Sequence, residues 1–145
     1  GCLNFSSAWF QQGRNVMSAT LKARNPDQGG RSWLEQRMLP AAVLSVAMAI
    51  MHPNLYAAGH EAPPLVEMAE MFRPCPSVFT AVSVMVNHST LFHRDHNSRV
   101  QWYDLLASIS SYHHARFNIP TIGTACHYPP RSVVTVSSLL VGHGV

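Results

Sequence analysis

Leu91-Phe92-His93-Arg94-Asp95-His96, with Val141-Gly142-His143-Gly144-Val145 about fifty residues further on, decides how this chain is read. Together the two stretches supply two imidazoles and one carboxylate, the facial triad that holds non-haem Fe(II) while leaving coordination positions open. In an extended segment residues i and i+2 point to the same side, so His93 and Asp95 can share one ion while Arg94 and His96 face away. The third ligand has to come from a neighbouring strand. His143 is the best placed candidate, because glycines on both sides let backbone and metal approach closely. The competing reading is that these are ordinary surface or core histidines, since nine His and three Asp in 145 residues make a His-x-Asp easy to meet by chance.

Around this pair the chain alternates as short strands. Val78 to Asn87 puts Val82, Val84 and Val86 on one side and Ala81, Ser83, Met85 and Asn87 on the other. Asn87, on the less apolar side, either hydrogen-bonds a ligand in a pocket or closes the strand into a turn. Further strands are expected at Trp102 to Ile109, Ala115 to Asn118, Ile122 to Tyr128, Val133 to Val136 and Leu139 to His143. The upstream half reads as helical. Ser32 with Glu35 forms a capping box, Pro40 opens a helix from Ala41 to about His52 that Pro53 stops, and a further helix fits Pro63 to Phe72. Ala41 to Met51 is apolar all round but shorter than the ~20 residues needed to span a bilayer, so a buried helix is expected. Residues 1–31 read as an irregular basic lead-in, 32–76 as the helical part and 77–145 as the strand-rich core of a single domain. The fold class is α+β, a β-sandwich or jelly roll with the N-terminal helices packed on one face.

Composition sets the remaining bounds. Hydrophobic residues make up 47% and charged ones 12%, a globular balance. Cys2, Cys75 and Cys126 contain no Cys-x-x-Cys pair, and an odd count argues against a disulfide framework, so a reducing, intracellular setting is expected. No charged-then-apolar leader is visible. Arg14, Lys22, Arg24, Arg31 and Arg37, with only Asp27 and Glu35 among them, form a basic lead-in that either touches DNA phosphates or is simply solvated.

The words of sequence around the triad carry more than their spacing. Asn87-His88-Ser89-Thr90-Leu91-Phe92-His93-Arg94-Asp95-His96-Asn97-Ser98-Arg99, then Trp102-Tyr103-Asp104-Leu105-Leu106, Ser111-Tyr112, Ile119-Pro120-Thr121-Ile122-Gly123, Tyr128-Pro129-Pro130 and Leu139 to Val145 resemble the fungal TET/JBP-like 2-oxoglutarate and Fe(II)-dependent dioxygenases. The resemblance covers about residues 78 to 145, and Met51 to Gly59 fits the family's helical lead-in. It implies a double-stranded β-helix, His93, Asp95 and His143 as iron ligands, and Fe(II) and 2-oxoglutarate as cofactors. Asn87 and Tyr128 are the candidate co-substrate contacts. The implied activity is oxidation of a methyl group on a modified DNA base, 5-methylcytosine first among them, in the nucleus. Such a base has to be flipped out of the stack, and Asn97, Trp102, Tyr103 and Asp104 are the candidates to receive it.

Departures from the family pattern stand beside the matches. Where the family reads Tyr-x-Pro-Gly, Pro130 is taken as standing in the glycine position, and proline cannot adopt the positive φ used there. Gly142 replaces an arginine before the distal His, and serine replaces a glycine near Ser110 to Ser111. An arginine expected after the distal His, to clamp the far carboxylate of 2-oxoglutarate, would fall beyond Val145, so the chain reads as a C-terminally truncated piece. The alternative is a catalytically silent remnant of the same fold that acts as a binding or scaffold module.

Overall fold

The computed structural model describes residues 1–6, 18–22, 29, 32–33, 36–61, 77–86, 89–109 and 111–145. They fall into two compact units, Gly1–Val86 and Asn87–Val145.

In the first unit, β1 (Cys2–Ser6) pairs antiparallel with β2 (Ala81–Met85), Cys2 opposite Met85 and Ser6 opposite Ala81. The expected irregular lead-in therefore begins with a strand, and a short helix α1 (Ala19–Lys22) follows. Phe5 is buried and stacks on Trp33, ring centroids 4.5 Å apart. The Ser6 amide donates to Ser18 Oγ at 3.0 Å, which satisfies a buried polar pair at the end of β1.

Helix α2 (Met38–Met51) starts before Pro40, not at Ala41. Its first bond runs from the Ala41 amide to the Arg37 carbonyl, so Pro40 occupies a first-turn position where no donor is needed. His52 ends α2 and starts α3 (Pro53–Glu61): its amide donates to the Met48 carbonyl, and its Nδ1 accepts from the Leu55 amide at 3.1 Å. Pro53 thus opens a helix as well as stopping one. The expectation of a buried α2 is corrected. Its buried residues are Ser45, which accepts from the Val78 amide, and Met48, whereas Leu39, Val43, Val46 and Ile50 share an exposed stripe. Helical spacing at intervals of four, three and four puts those four on one face. Among the described residues no helix is long and apolar enough to cross a membrane. Glu35 of the capping box and the helix expected at 63–72 lie outside the described residues.

The second unit holds two antiparallel pairs. β3 (Asp104–Ala107) pairs with β6 (Val133–Val136), Asp104 opposite Val136, and β4 (Arg116–Ile119) pairs with β5 (Thr124–His127), Arg116 opposite His127. A 3-10 turn at Pro120–Ile122 and Gly123, at φ 64°, joins β4 to β5. Four of the expected strands are present, but the one expected at Leu139 to His143 is not. Ser137 turns the chain by accepting from the Leu140 and Val141 amides, and only His143 and Gly144 form bridges. Phe117, Tyr128 and Val136 make the core, packed by Leu106, Ile119, Val134, Val141 and Val145.

The Tyr128–Pro130 turn also differs from expectation. Ser132 donates to the Pro129 carbonyl at 3.2 Å, with Pro130 and Arg131 between them and Arg131 at φ 68°. This is a type II arrangement, with proline at its favoured first position. The positive φ falls on Arg131 and not on Pro130.

Phe117→Ala is expected to cost about 3–5 kcal/mol, read as a lower midpoint in chemical denaturation. Burial pushes the Tyr128 phenol up to about 12. Its folded value then exceeds the unfolded one of about 10, so the stability carried by the neutral ring is complete below pH ~10 and falls as pH rises towards 12. Denaturation midpoints measured across that window should lose this slope in Tyr128→Phe.

Candidate metal centre

The His93 and His143 backbones exchange both of their hydrogen bonds, each amide to the other's carbonyl at 3.0 Å. Side chains of directly opposed residues emerge on the same face. The two imidazoles accordingly sit side by side, ring centroids 4.5 Å apart. On its other flank the His143 segment is tied to β4, because Gly144 and Asn118 exchange amide-to-carbonyl bonds of 2.9 and 3.1 Å. Phe117, fully buried, stacks against the His143 ring at 5.8 Å.

Asp95 is set by a separate bond, its amide to the Ser138 carbonyl at 3.0 Å, while its own carbonyl accepts from the Ser98 amide. Its carboxylate lies between the two rings, 3.8 Å from His93 Nε2 and 4.0 Å from His143 Nε2. One ligand atom from each of the three lies within 4.8 Å of the others, a spread that small side-chain rotations bring onto one ion.

Tautomer is fixed by the neighbouring backbone. His93 Nδ1 lies 2.8 Å from the Leu91 carbonyl and His143 Nδ1 lies 3.2 Å from that of Val141. A carbonyl oxygen can only accept, so each Nδ1 carries a proton, and in the neutral imidazole that leaves the Nε2 lone pair turned towards Asp95. Two neutral imidazole nitrogens and a carboxylate oxygen suit a divalent first-row metal, and bonds from the far ring nitrogen are the usual support of such ligands. The site is open on one side: the His93 and Asp95 side chains are 41% and 47% exposed, that of His143 4%.

The backbone beside the ligands is tightly fitted. The Thr90 amide donates to the Val145 carbonyl while His93 pairs with His143, leaving Leu91 and Phe92 opposite Gly144 alone. Two residues facing one is a bulge. A Cβ on Gly144 would meet the Thr90 carbonyl oxygen at 2.9 Å, whereas one on Gly142 meets nothing closer than 3.8 Å.

The other expected residues separate. Tyr128 lies in the core beside Phe117, ring centroids 5.9 Å apart. Asp104 opens β3 and accepts from the Ser138 hydroxyl, which connects it to the carbonyl that holds Asp95. Trp102 has the Arg99 guanidinium over its ring at 5.3 Å. Tyr103 is 37% exposed, and Asn97 is exposed in the turn after Asp95. Asn87 lies outside the described residues, as do Arg14, Arg24 and Arg31; Arg37 sits over Trp33 at 4.9 Å. Sequence reasoning missed Ser138 and Phe117. Ser138 acts largely through its backbone and carries no spacing signal, and Phe117 reads as any core aromatic. Ser98 Oγ is buried without a partner three residues after Asp95.

The chain matches the Tet_JBP family, the oxygenase domain of the 2OGFeDO superfamily, over residues 6–145. No curated protein matches it.

Gly144→Ala is expected to cost about 1–3 kcal/mol through the forced contact with Thr90, and Gly142→Ala well under 1 kcal/mol. Calorimetric unfolding of the two variants compares them directly.

Proposed function

The chain belongs to the Tet_JBP family of oxygenase domains, and from that premise we propose that it is an Fe(II)- and 2-oxoglutarate-dependent dioxygenase that oxidises a methyl group on a modified DNA base, 5-methylcytosine first among them. The superfamily implies Fe(II) and 2-oxoglutarate as cofactors, and the observation that carries the reading is the convergence of His93, Asp95 and His143. These three would hold the iron through the two Nε2 atoms and the Asp95 carboxylate. When bound, Fe(II) with 2-oxoglutarate supplies the oxidation of a nearby C–H bond. The family match runs through both units, which supports a single oxygenase domain, with a double-stranded β-helix as its proposed core.

The protein's own part is positional. Phe117 and the Val141 carbonyl hold the His143 ring in one orientation, the Leu91 carbonyl does the same for His93, and the Ser138 carbonyl sets Asp95. Preorganised ligands of this kind lower the cost of assembling the site. Asn97, Trp102 and Tyr103 are proposed to receive the flipped base by hydrogen bonding and stacking. Asp104 is proposed to support the site through Ser138. Asn87 and Tyr128 remain the proposed co-substrate contacts, Tyr128 acting from its place beside Phe117. A DNA substrate would place the protein in the nucleus.

The test is an anaerobic titration of Fe(II) and 2-oxoglutarate that follows their visible charge-transfer band, with mass spectrometry of a 5-methylcytosine oligonucleotide after oxygen is admitted. The parent is expected to show the band and an oxidised base, and His93→Ala and Asp95→Ala neither. A folded parent with no band would sink the assignment, and binding of methylated DNA without turnover would favour a binding module.

A further inference from the structure

Arg131 occupies a backbone position that favours glycine. At φ 68° it is the only non-glycine residue with positive φ among those described, a conformation that is strained for a residue with a Cβ. The turn is fixed on both sides, by Arg131 N–H to the Ser108 carbonyl at 2.7 Å and Ser108 N–H to the Ser132 carbonyl at 2.9 Å. A strained residue kept where glycine would fit better directs attention to what its side chain does.

That side chain lines an open cleft of about 480 Å³ together with Ile109, Ser111, His113, Pro129 and Pro130. Its ionisable groups, a guanidinium and an imidazole, are both able to carry positive charge, and Ser111 adds a hydroxyl. From Asn87 onward the chain has only two acidic side chains, Asp95 and Asp104. Asp95 faces the two site histidines and Asp104 takes the Ser138 hydroxyl. Among the described residues Arg131 has no carboxylate partner.

We infer that this cleft seats a backbone phosphate of the nucleic-acid substrate, with Arg131 and Ser111 on the phosphate oxygens, His113 beside them, and the sugar against Pro129 and Pro130. The inference rests on the nucleic-acid reading above and extends it to a second contact. Register separates the two places: Arg131 and Ser108 adjoin the Ala107–Val133 end of the β3–β6 pair, whereas Ser138, which holds Asp95, follows the Asp104–Val136 end. Four paired residues at about 3.4 Å each lie between. The phosphate seat and the metal centre therefore engage different nucleotides.

The backbone geometry supplies a clean variant. Arg131→Gly removes the guanidinium while relieving the strained φ, so the fold is kept or stabilised. Fluorescence anisotropy with a short methylated duplex, repeated across a salt series and with inorganic phosphate as competitor, reads the contact. Arg131→Gly is expected to bind roughly tenfold more weakly with a salt slope smaller by about one, at an unfolding midpoint no lower than the parent's. Ser111→Ala should weaken binding in the same direction. Equal affinity and slope in Arg131→Gly and parent would overturn the seat and leave the base-oxidising reading standing. A parent held as tightly by free phosphate as by duplex would overturn it in favour of a small-anion site. No duplex binding by the parent would overturn it too, while oxidation of the base is decided separately by the product assay.

Discussion

Everything at the candidate metal centre depends on one doubly bonded backbone pair, His93 with His143. Residues about fifty positions apart in sequence have to meet at a fixed separation and on the same face, and reciprocal amide-to-carbonyl bonds impose both conditions at once. With the backbones locked, ring orientation is the remaining freedom, and the carbonyls of Leu91 and Val141 remove it. Asp95 is held independently by Ser138. The third ligand can therefore adjust by side-chain rotation without disturbing the pair.

Such close meeting has structural consequences nearby. Leu91 and Phe92 in the bulge are 88% and 65% exposed, and Gly144 has no room for a Cβ. Behind the pair, Phe117 belongs both to the core with Tyr128 and Val136 and to the stack on His143. A change in core packing is thus transmitted to a ligand ring through direct contact. The Pro129–Ser132 turn carries its own strain on Arg131 and is joined to the centre both along the β3–β6 pair and through Tyr128 and Phe117.

That His93, Asp95 and His143 come together was legible in sequence because His-x-Asp in an extended segment and a glycine-flanked histidine each constrain geometry locally. The strands of β-branched and aromatic residues were legible for the same reason: Val133 to Val136 is read with the bounds it has. Leu139 to His143 was not. Its apolar run looks like a strand, but the Ser137 carbonyl captures two amides and turns the chain, a choice that hydrophobic pattern does not encode. β1 was hidden because five residues containing Asn4 and Ser6 alternate too weakly to stand out, and its pairing with β2 spans about eighty residues. Helix α2, apolar on every side, gave no clue as to which stripe stays exposed. The positive φ was anticipated one residue early, since Tyr-x-Pro-Gly aligns its glycine with Arg131 once Pro129 is counted as the variable position.

The unequal exposure of His93, Asp95 and His143 would set how a centre built on them deals with competing ions. His143 is walled in, while His93 and Asp95 face solvent, so a bound ion would exchange from one side without unfolding the pair. Two imidazoles and a carboxylate bind Co, Ni, Cu and Zn more strongly than Fe(II). Occupancy of such an accessible site would follow the supply of metals around it, so the choice of iron by the proposed centre would rest on its surroundings as much as on its own ligands.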